Sequence, residues 1–186
     1  MVIVKSRTNA YDWLVYNSNI GNTKKQYLNL TDAGIVDSTA WNNTSPTSSV
    51  FSLGSNVGVN QSAATYVAYC FAPIAGYSAF GSYTGNGSTD GPFVFTGFRP
   101  AFVMVKNTVN PYTDWYIIDA TRNTYNVAGL VLRPDATTAE QNYAPLLDFL
   151  SNGFKLRDTG SPWNESGSAI IYACFASNPF KYSLAQ

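Results

Sequence analysis

Along all 186 residues, short runs of Val, Ile, Tyr, Phe and Thr are separated by clusters of Asn, Gly, Ser and Pro. Residues of the first kind suit a pleated, half-buried surface and those of the second form turns, so the pattern is one of strands and turns. It predicts strands near Val2–Ser6, Asp12–Asn17, Gln26–Leu30, Val50–Leu53 and Thr65–Ala72. A second series follows at Ser82–Gly85, Phe93–Phe98, Phe102–Asn107, Asp114–Asp119, Gly129–Arg133, Phe154–Arg157, Ala169–Ala176 and Lys181–Leu184. One segment competes for helix, Thr138 to Leu150, and Pro145 interrupts it, so a single short turn of helix is the most expected there. Strands this short bury their apolar faces best in two packed antiparallel sheets. The expectation is an all-β chain, an antiparallel β-sandwich of jelly-roll or lectin-like type.

The pattern also repeats at a spacing near a hundred residues. Val2-Ile3-Val4-Lys5-Ser6 echoes Val103-Met104-Val105-Lys106-Asn107, and Asp12-Trp13 echoes Asp114-Trp115. Val59-Asn60-Gln61-Ser62 answers Trp163-Asn164-Glu165-Ser166, Cys70-Phe71-Ala72 answers Cys174-Phe175-Ala176, and Tyr77-Ser78 answers Tyr182-Ser183. Matches kept in one order point to an internal duplication. The expected repeats are residues 1–78 and 79–186, packed as one unit or as two. The second is preceded by a leader, Phe80 to Pro100, that the first lacks, so the first is expected to be short of a strand, with an open sheet edge near residues 1 to 6 and a longer parent chain.

Composition narrows the function. Hydrophobic residues are 45% of the chain and charged residues 12%, which excludes disorder. Lys plus Arg and Asp plus Glu are 11 each, so no net field draws the chain to nucleic acid or to an anionic membrane. No apolar run is long enough for a membrane helix, and the N-terminal residues lack the form of a signal peptide. Histidine is absent, which removes every Ser-His-Asp or Cys-His mechanism and the commonest zinc ligand. No metal or other cofactor is expected. Cys70 and Cys174 each lie in an apolar run and are expected to be buried free thiols; their pairing with each other is the alternative.

Longer strings carry a resemblance. Ala79-Phe80-Gly81-Ser82-Tyr83-Thr84-Gly85-Asn86-Gly87, then Gly91-Pro92-Phe93-Val94 and Thr96-Gly97-Phe98-Arg99-Pro100-Ala101-Phe102-Val103, resemble a family of uncharacterised domains in bacteriophage tail and fibre proteins. Thr44-Ser45-Pro46-Thr47-Ser48-Ser49-Val50-Phe51-Ser52-Leu53-Gly54, Leu147-Asp148-Phe149-Leu150-Ser151-Asn152-Gly153-Phe154-Lys155 and Asn178-Pro179-Phe180-Lys181-Tyr182 are similar to it as well. The resemblance implies a virion component, in the tail or another external structure, whose partners are other virion proteins and further copies of itself, a trimer in the setting of viral fibres. The leading expectation in that setting is a tail-fibre or adhesin module that binds or presents a binding surface to the host envelope, with a host surface glycan as the candidate ligand; the alternative is a purely structural spacer, decoration or capsid-associated domain. It carries no catalytic residue.

Candidate binding residues come from the loops. Trp41 with Asn42 and Trp163 with Asn164 place an aromatic beside amides in polar surroundings, the composition of a carbohydrate platform, while an ordinary packing role is the alternative. Tyr112, and more weakly Tyr125, are of the same sort. Trp13 and Trp115 are expected to fill the two cores. A polysaccharide depolymerase would need two facing carboxylates. Asp119, Asp135, Glu140, Asp148 and Glu165 are available, but no two sit at i, i+2 on one strand, so no enzymatic activity is expected. Gly85-Asn86-Gly87-Ser88-Thr89-Asp90-Gly91 lacks the lysine of a phosphate loop and the acids of a calcium loop, and reads as a hairpin turn.

Overall fold

The computed structural model describes residues 1–179 and divides the chain into two compact units between Phe71 and Ala72. In unit 1 the elements are β1 (Val2–Ser6), β2 (Leu14–Tyr16), β3 (Lys24–Tyr27), β4 (Ile35–Val36), α1 (Val57–Asn60) and β5 (Tyr66–Cys70). The strands form one antiparallel sheet in the order β4-β3-β2-β1-β5. Alternation sends Val2 and Val4 of β1 to the same face as Leu14 and Tyr16 of β2, and that face is covered by Ala40, Trp41 and Val59. The cover is a loop held by backbone bonds from Gly54 and Asn56 to Ala40 and Thr39. Asn56 caps α1 by accepting from the Gly58 amide at 2.8 Å. A Cβ on Gly58 would come within 2.7 Å of a Leu14 methyl, so any larger residue there requires Leu14 to shift.

Unit 2 contains β6 (Ser78–Thr84), β7 (Phe93–Phe95), β8 (Pro100–Asn107), β9 (Tyr116–Asp119), β10 (Ala128–Val131), β11 (Gln141–Leu150), β12 (Gly153–Leu156), α2 (Ser161–Asn164) and β13 (Ala169–Ala176). Two four-stranded antiparallel sheets, β6-β13-β8-β9 and β10-β11-β12-β7, enclose a shared core. Val103, Val105, Ile118, Ile170 and Cys174 come from the first sheet, and Val94, Leu147, Phe149, Phe154 and Leu156 from the second. This is an antiparallel β-sandwich.

The structure corrects the sequence reading at several points. The segment expected to hold at most a turn of helix is β11, ten residues long, with a cis bond before Pro145. Pro145 falls where the β10–β11 register jumps between Ala128–Leu147 and Leu130–Asn142, so its missing N–H interrupts no regular ladder. Beyond it, Leu147 to Leu150 find a full partner in β12. Val50 to Leu53 form no strand; Phe51 and Leu53 instead pack their side chains on the unit 1 core as part of the cover. Both cysteines are free, and Cys174 is buried as expected while Cys70 is exposed. The strand expected at Lys181–Leu184 and the Tyr182-Ser183 echo lie outside the described residues. Strand β1 is paired on both sides, so residues 1 to 6 form no sheet edge; among the described residues the edge strands of this sheet are β4 and β5.

Candidate functional site

Three of the five expected binding residues are part of the interior. Trp163 is 4% exposed, with its ring edge-on to Tyr116 and Tyr143 at centroid distances of 4.8 and 5.2 Å. Its indole N–H donates to Asp158 Oδ1 at 2.6 Å. Asn164 is fully buried, and its amide is spent internally: Oδ1 accepts from the Asn86 amide, and Nδ2 donates to the carbonyls of Ser88 and Asp158. It pins the Gly85–Gly91 turn to α2 and has no donor left for a ligand. Trp41 is 2% exposed and packs edge-on to Tyr16 at 5.7 Å. The platform expected of the two tryptophans is therefore not formed. A polar loop sequence conceals them because each is the residue by which its loop is anchored to the core.

Asn42, next to Trp41, is exposed and has a positive φ of 52°, as does Asn43 with 47°. Both take the left-handed conformation that lets the chain reverse once Trp41 has turned inward. Asn42 thus forms a turn.

Tyr112 is different. It is 89% exposed, in the loop from Thr108 to Trp115 that joins β8 to β9. Side-chain to backbone bonds organise this loop along its length. Asn107 Oδ1 accepts from the amides of Val109 and Asn110 at 2.9 and 3.0 Å, and Asn110 Oδ1 accepts from the Tyr112 amide at 3.1 Å. Thr113 Oγ1 donates to the Asn110 carbonyl, and the buried Lys106 ammonium donates to the Thr113 carbonyl. Val109 and Tyr112 are left projecting from a loop whose backbone is fixed. Sequence reading placed Tyr112 but missed its frame; Asn at 107 and at 110, just before Pro111, is the turn signal that marks it.

The loop rests beside α2 through Glu165. Its Oε2 accepts from Asn107 Nδ2 at 2.9 Å and from Ser168 Oγ at 2.8 Å. The bonds from Ser168 and Asn107, with a further one from Asn110, hold the Glu165 carboxyl below the usual range against the opposing effect of burial. Glu165 is thus an ionised acceptor at the foot of the Tyr112 loop. Tyr125, 85% exposed, lies in the loop that follows β9 and therefore at the other end of that strand, so the two tyrosines do not form one surface.

The remaining candidate carboxylates, Asp119, Asp135, Glu140 and Asp148, are held in ion pairs or by backbone groups. Arg122 bridges Asp119 at 2.5 Å and Glu140 at 2.7 Å, Arg157 holds Asp148 at 2.6 Å, and Arg133 holds Asp114 at 2.9 Å. Burial works to raise the Asp119 carboxyl, but the Arg122 amide and guanidinium outweigh it and lower it, the reverse of what a general acid requires. Asp135 is pushed up, chiefly by burial, and accepts from the Trp115 amide at 3.0 Å. Arg133 also lies over the rings of Tyr116 and Tyr143 and donates to Gln141 and to the Tyr143 hydroxyl. These side chains knit β9 to the segment after β10 and to β11. Among the described residues no group of three Cys, Asp or Glu is placed to hold a metal ion, and no helix is long and apolar enough to cross a membrane.

Compared with known proteins, residues 1–179 match the family model for a domain of unknown function, DUF7483, and the chain belongs to that family. No curated protein and no solved structure matches it.

Proposed function

We propose that this DUF7483 member is a bacteriophage virion component, a tail-fibre or adhesin module that presents a binding surface to the host cell envelope and does no covalent chemistry. The observation that carries the reading is the Tyr112 loop, an aromatic side chain 89% exposed on a backbone already ordered by Asn107, Asn110 and Thr113. An exposed ring offers its face to the apolar side of a sugar, and the ionised Glu165 nearby accepts from hydroxyls. A pre-ordered loop also loses little entropy on binding. The phage-tail resemblance of residues 79–103 and of the other matching strings supports the setting. So does a chain without net charge, which suits recognition by shape and hydrogen bonding.

The internal duplication belongs to the same reading, and matching strand registers in the two units support it. Val2 faces Tyr16 and Cys70, and its counterpart Val103 faces Ile118 and Cys174. Repeated weak sites in a homo-oligomer would raise avidity by about 10²–10⁴.

The test is binding of the full chain to an array of host surface glycans, alongside Tyr112→Ala. The expected result is binding to a host glycan that falls at least about tenfold in the variant, a loss of about 1.4 kcal/mol. Undiminished binding by Tyr112→Ala would remove the site. Absence of any glycan binding would favour the purely structural virion role, which detection of the chain in purified particles would then establish by itself.

A further inference from the structure

Backbone register places Asn29 of unit 1 and Asp135 of unit 2 at the same point of a like framework. Val15 of β2 pairs with Gln26, three residues before Asn29, and Ile117 of β9 pairs with Leu132, three residues before Asp135. Each side chain accepts from the amide of the tryptophan that precedes its strand: Asn29 Oδ1 from Trp13 at 2.9 Å, and Asp135 Oδ2 from Trp115 at 3.0 Å. An aspartate, Asp12 or Asp114, stands just before each tryptophan. In unit 1 the other amide atom completes the arrangement, because Asn29 Nδ2 donates to Asp12 Oδ1 at 2.8 Å. In unit 2 the atom in its place is an oxygen, Asp135 Oδ1, which is buried and has no hydrogen-bond partner.

An ionised carboxylate only accepts, so it has no bond to offer a second carboxylate, whereas a protonated one carries an O–H donor that restores the bond made by Asn29. The surroundings favour the proton. Burial raises the Asp135 carboxyl most and the Asp114 charge adds to it; the amides of Trp115 and Asp135 and the Lys106 side chain of β8 pull the other way without cancelling it. The negative charge of the pair belongs on Asp114, which has the cation: Arg133 Nη1 donates to Asp114 Oδ2 at 2.9 Å, and the Tyr116 hydroxyl of β9 donates to the same oxygen at 3.2 Å. Arg133 also donates to the Tyr143 hydroxyl of β11, so its position is fixed from both sides. These bonds to Asp114 use Oδ2 and leave Oδ1 for Asp135.

We propose that Asp135 and Asp114 form a proton-sharing latch, with one proton held on Asp135 Oδ1 and donated to Asp114 Oδ1, and that release of this proton to solvent loosens the entry to β9. Asp114 directly follows Thr113 of the loop between β8 and β9, and Asp135 belongs to the segment after β10, so the shared proton joins the two. As pH rises, Asp135 ionises, two like charges meet at a partly buried place, and the join is lost. The folded state holds the proton more tightly than the unfolded one. The latch therefore contributes fully below the ordinary aspartate value of about 3.9 and is lost as pH rises through the raised folded value. That is the reverse of Asp37, whose carboxyl is depressed. In unit 1 the donor is an amide that does not ionise, so the same position carries no switch. The latch does not depend on the host-surface reading of Tyr112.

The experiment is a carboxyl-carbon NMR titration of the full chain, together with thermal unfolding followed separately in each unit from acid to mildly alkaline pH. The Asp135 carbon is expected to titrate above the ordinary aspartate value of about 3.9, and to move to lower pH in Asp114→Asn, which removes the neighbouring charge. Unit 2 is expected to lose about 4 °C or more of its unfolding temperature as Asp135 ionises. Asp135→Asn reproduces the arrangement of Asn29 and should abolish that loss, while Asn29→Asp should give unit 1 a loss of the same sign. The proposal is overturned if Asp135 titrates at or below the ordinary value, or if Asp114→Asn leaves its titration in place, because burial alone would then raise it. It is equally overturned if Asp135→Asn leaves the pH profile of unit 2 unchanged. The wild-type titration and the Asp135→Asn profile decide the matter even where Asp114→Asn fails to fold.

Discussion

Strands β2, β1 and β5 of unit 1 and strands β9, β8 and β13 of unit 2 pair in the same order and the same register, and each set stands beside a helix of four residues. What covers them differs. In unit 2 a whole second sheet closes the core with Phe149, Phe154 and Leu156, whereas in unit 1 a loop carrying Trp41 does so over only part of the face. Matched positions then have unlike surroundings. Cys174 is buried and Cys70 exposed; Trp115 is 1% exposed, while Trp13 is half-buried and stacks on Tyr69 at 6.3 Å. A strand's own residues set its pairing, but the layer placed against it decides which of those residues become core.

The largest test of that contrast is at the paired tryptophans. Trp115→Ala is expected to cost unit 2 about 3–5 kcal/mol by loss of burial and creation of a cavity. Trp13→Ala should cost unit 1 about half of that or less, since part of its surface is already in water. Denaturant unfolding followed separately in each unit measures both; equal losses would break the contrast.

Thiol labelling probes the other matched pair. Cys70 should react with a thiol reagent in the native chain, and Cys174 at least about a hundredfold more slowly, because burial blocks access and pushes its thiol well up. Comparable rates would place both cysteines in like environments.

Acid probes one ion pair of unit 1 more gently. In unit 1, Asp37 pairs with Lys25 at 2.7 Å and accepts from the Thr39 amide and hydroxyl at 2.8 and 2.5 Å. Burial works to raise its carboxyl, but Lys25 and Thr39 overcome that and hold it well below the usual range. A depressed carboxyl stabilises the fold above its unfolded pKa of about 3.9, and this contribution disappears as pH falls through the lower folded value. Unit 1 should therefore lose about 1 kcal/mol on acidification below about pH 4, and Asp37→Asn should remove that part of the pH dependence. Thermal unfolding across pH 2–6 reads it, and an unchanged profile in the variant would assign the acid sensitivity elsewhere.

The smallest effect on stability is expected at Tyr112. Its ring is exposed and the loop is held by other residues, so Tyr112→Ala should change unit 2 stability by no more than about 0.5 kcal/mol. A larger loss would make Tyr112 a structural residue and weaken its role as a recognition group.

Much of the framework was legible along the chain. Val2–Ser6 and Ala169–Ala176 coincide with β1 and β13, because alternating β-branched and aromatic residues bounded by turn formers specify a strand locally. The echo between Val2–Ser6 and Val103–Asn107 likewise falls on two strands with matching partners. At Gln141–Leu150, where at most a turn of helix and no strand was expected, neighbours decided: β11 is a strand because β10 and β12 satisfy its backbone. The candidate site was less legible. Tyr112 and Tyr125 are exposed, but Trp41, Trp163 and Asn164 stand in equally polar loop sequences and are buried.

By itself, then, the sequence determined the strand-and-turn rhythm, the all-β class and the exclusion of histidine chemistry, since each follows from residue types and their local spacing. Only the tertiary structure decided which aromatic anchors a loop and which one projects from it, and that β1 is an inner strand and not a sheet edge. Burial and edge position are properties of what packs or pairs against a residue, and those neighbours lie tens of residues away along the chain.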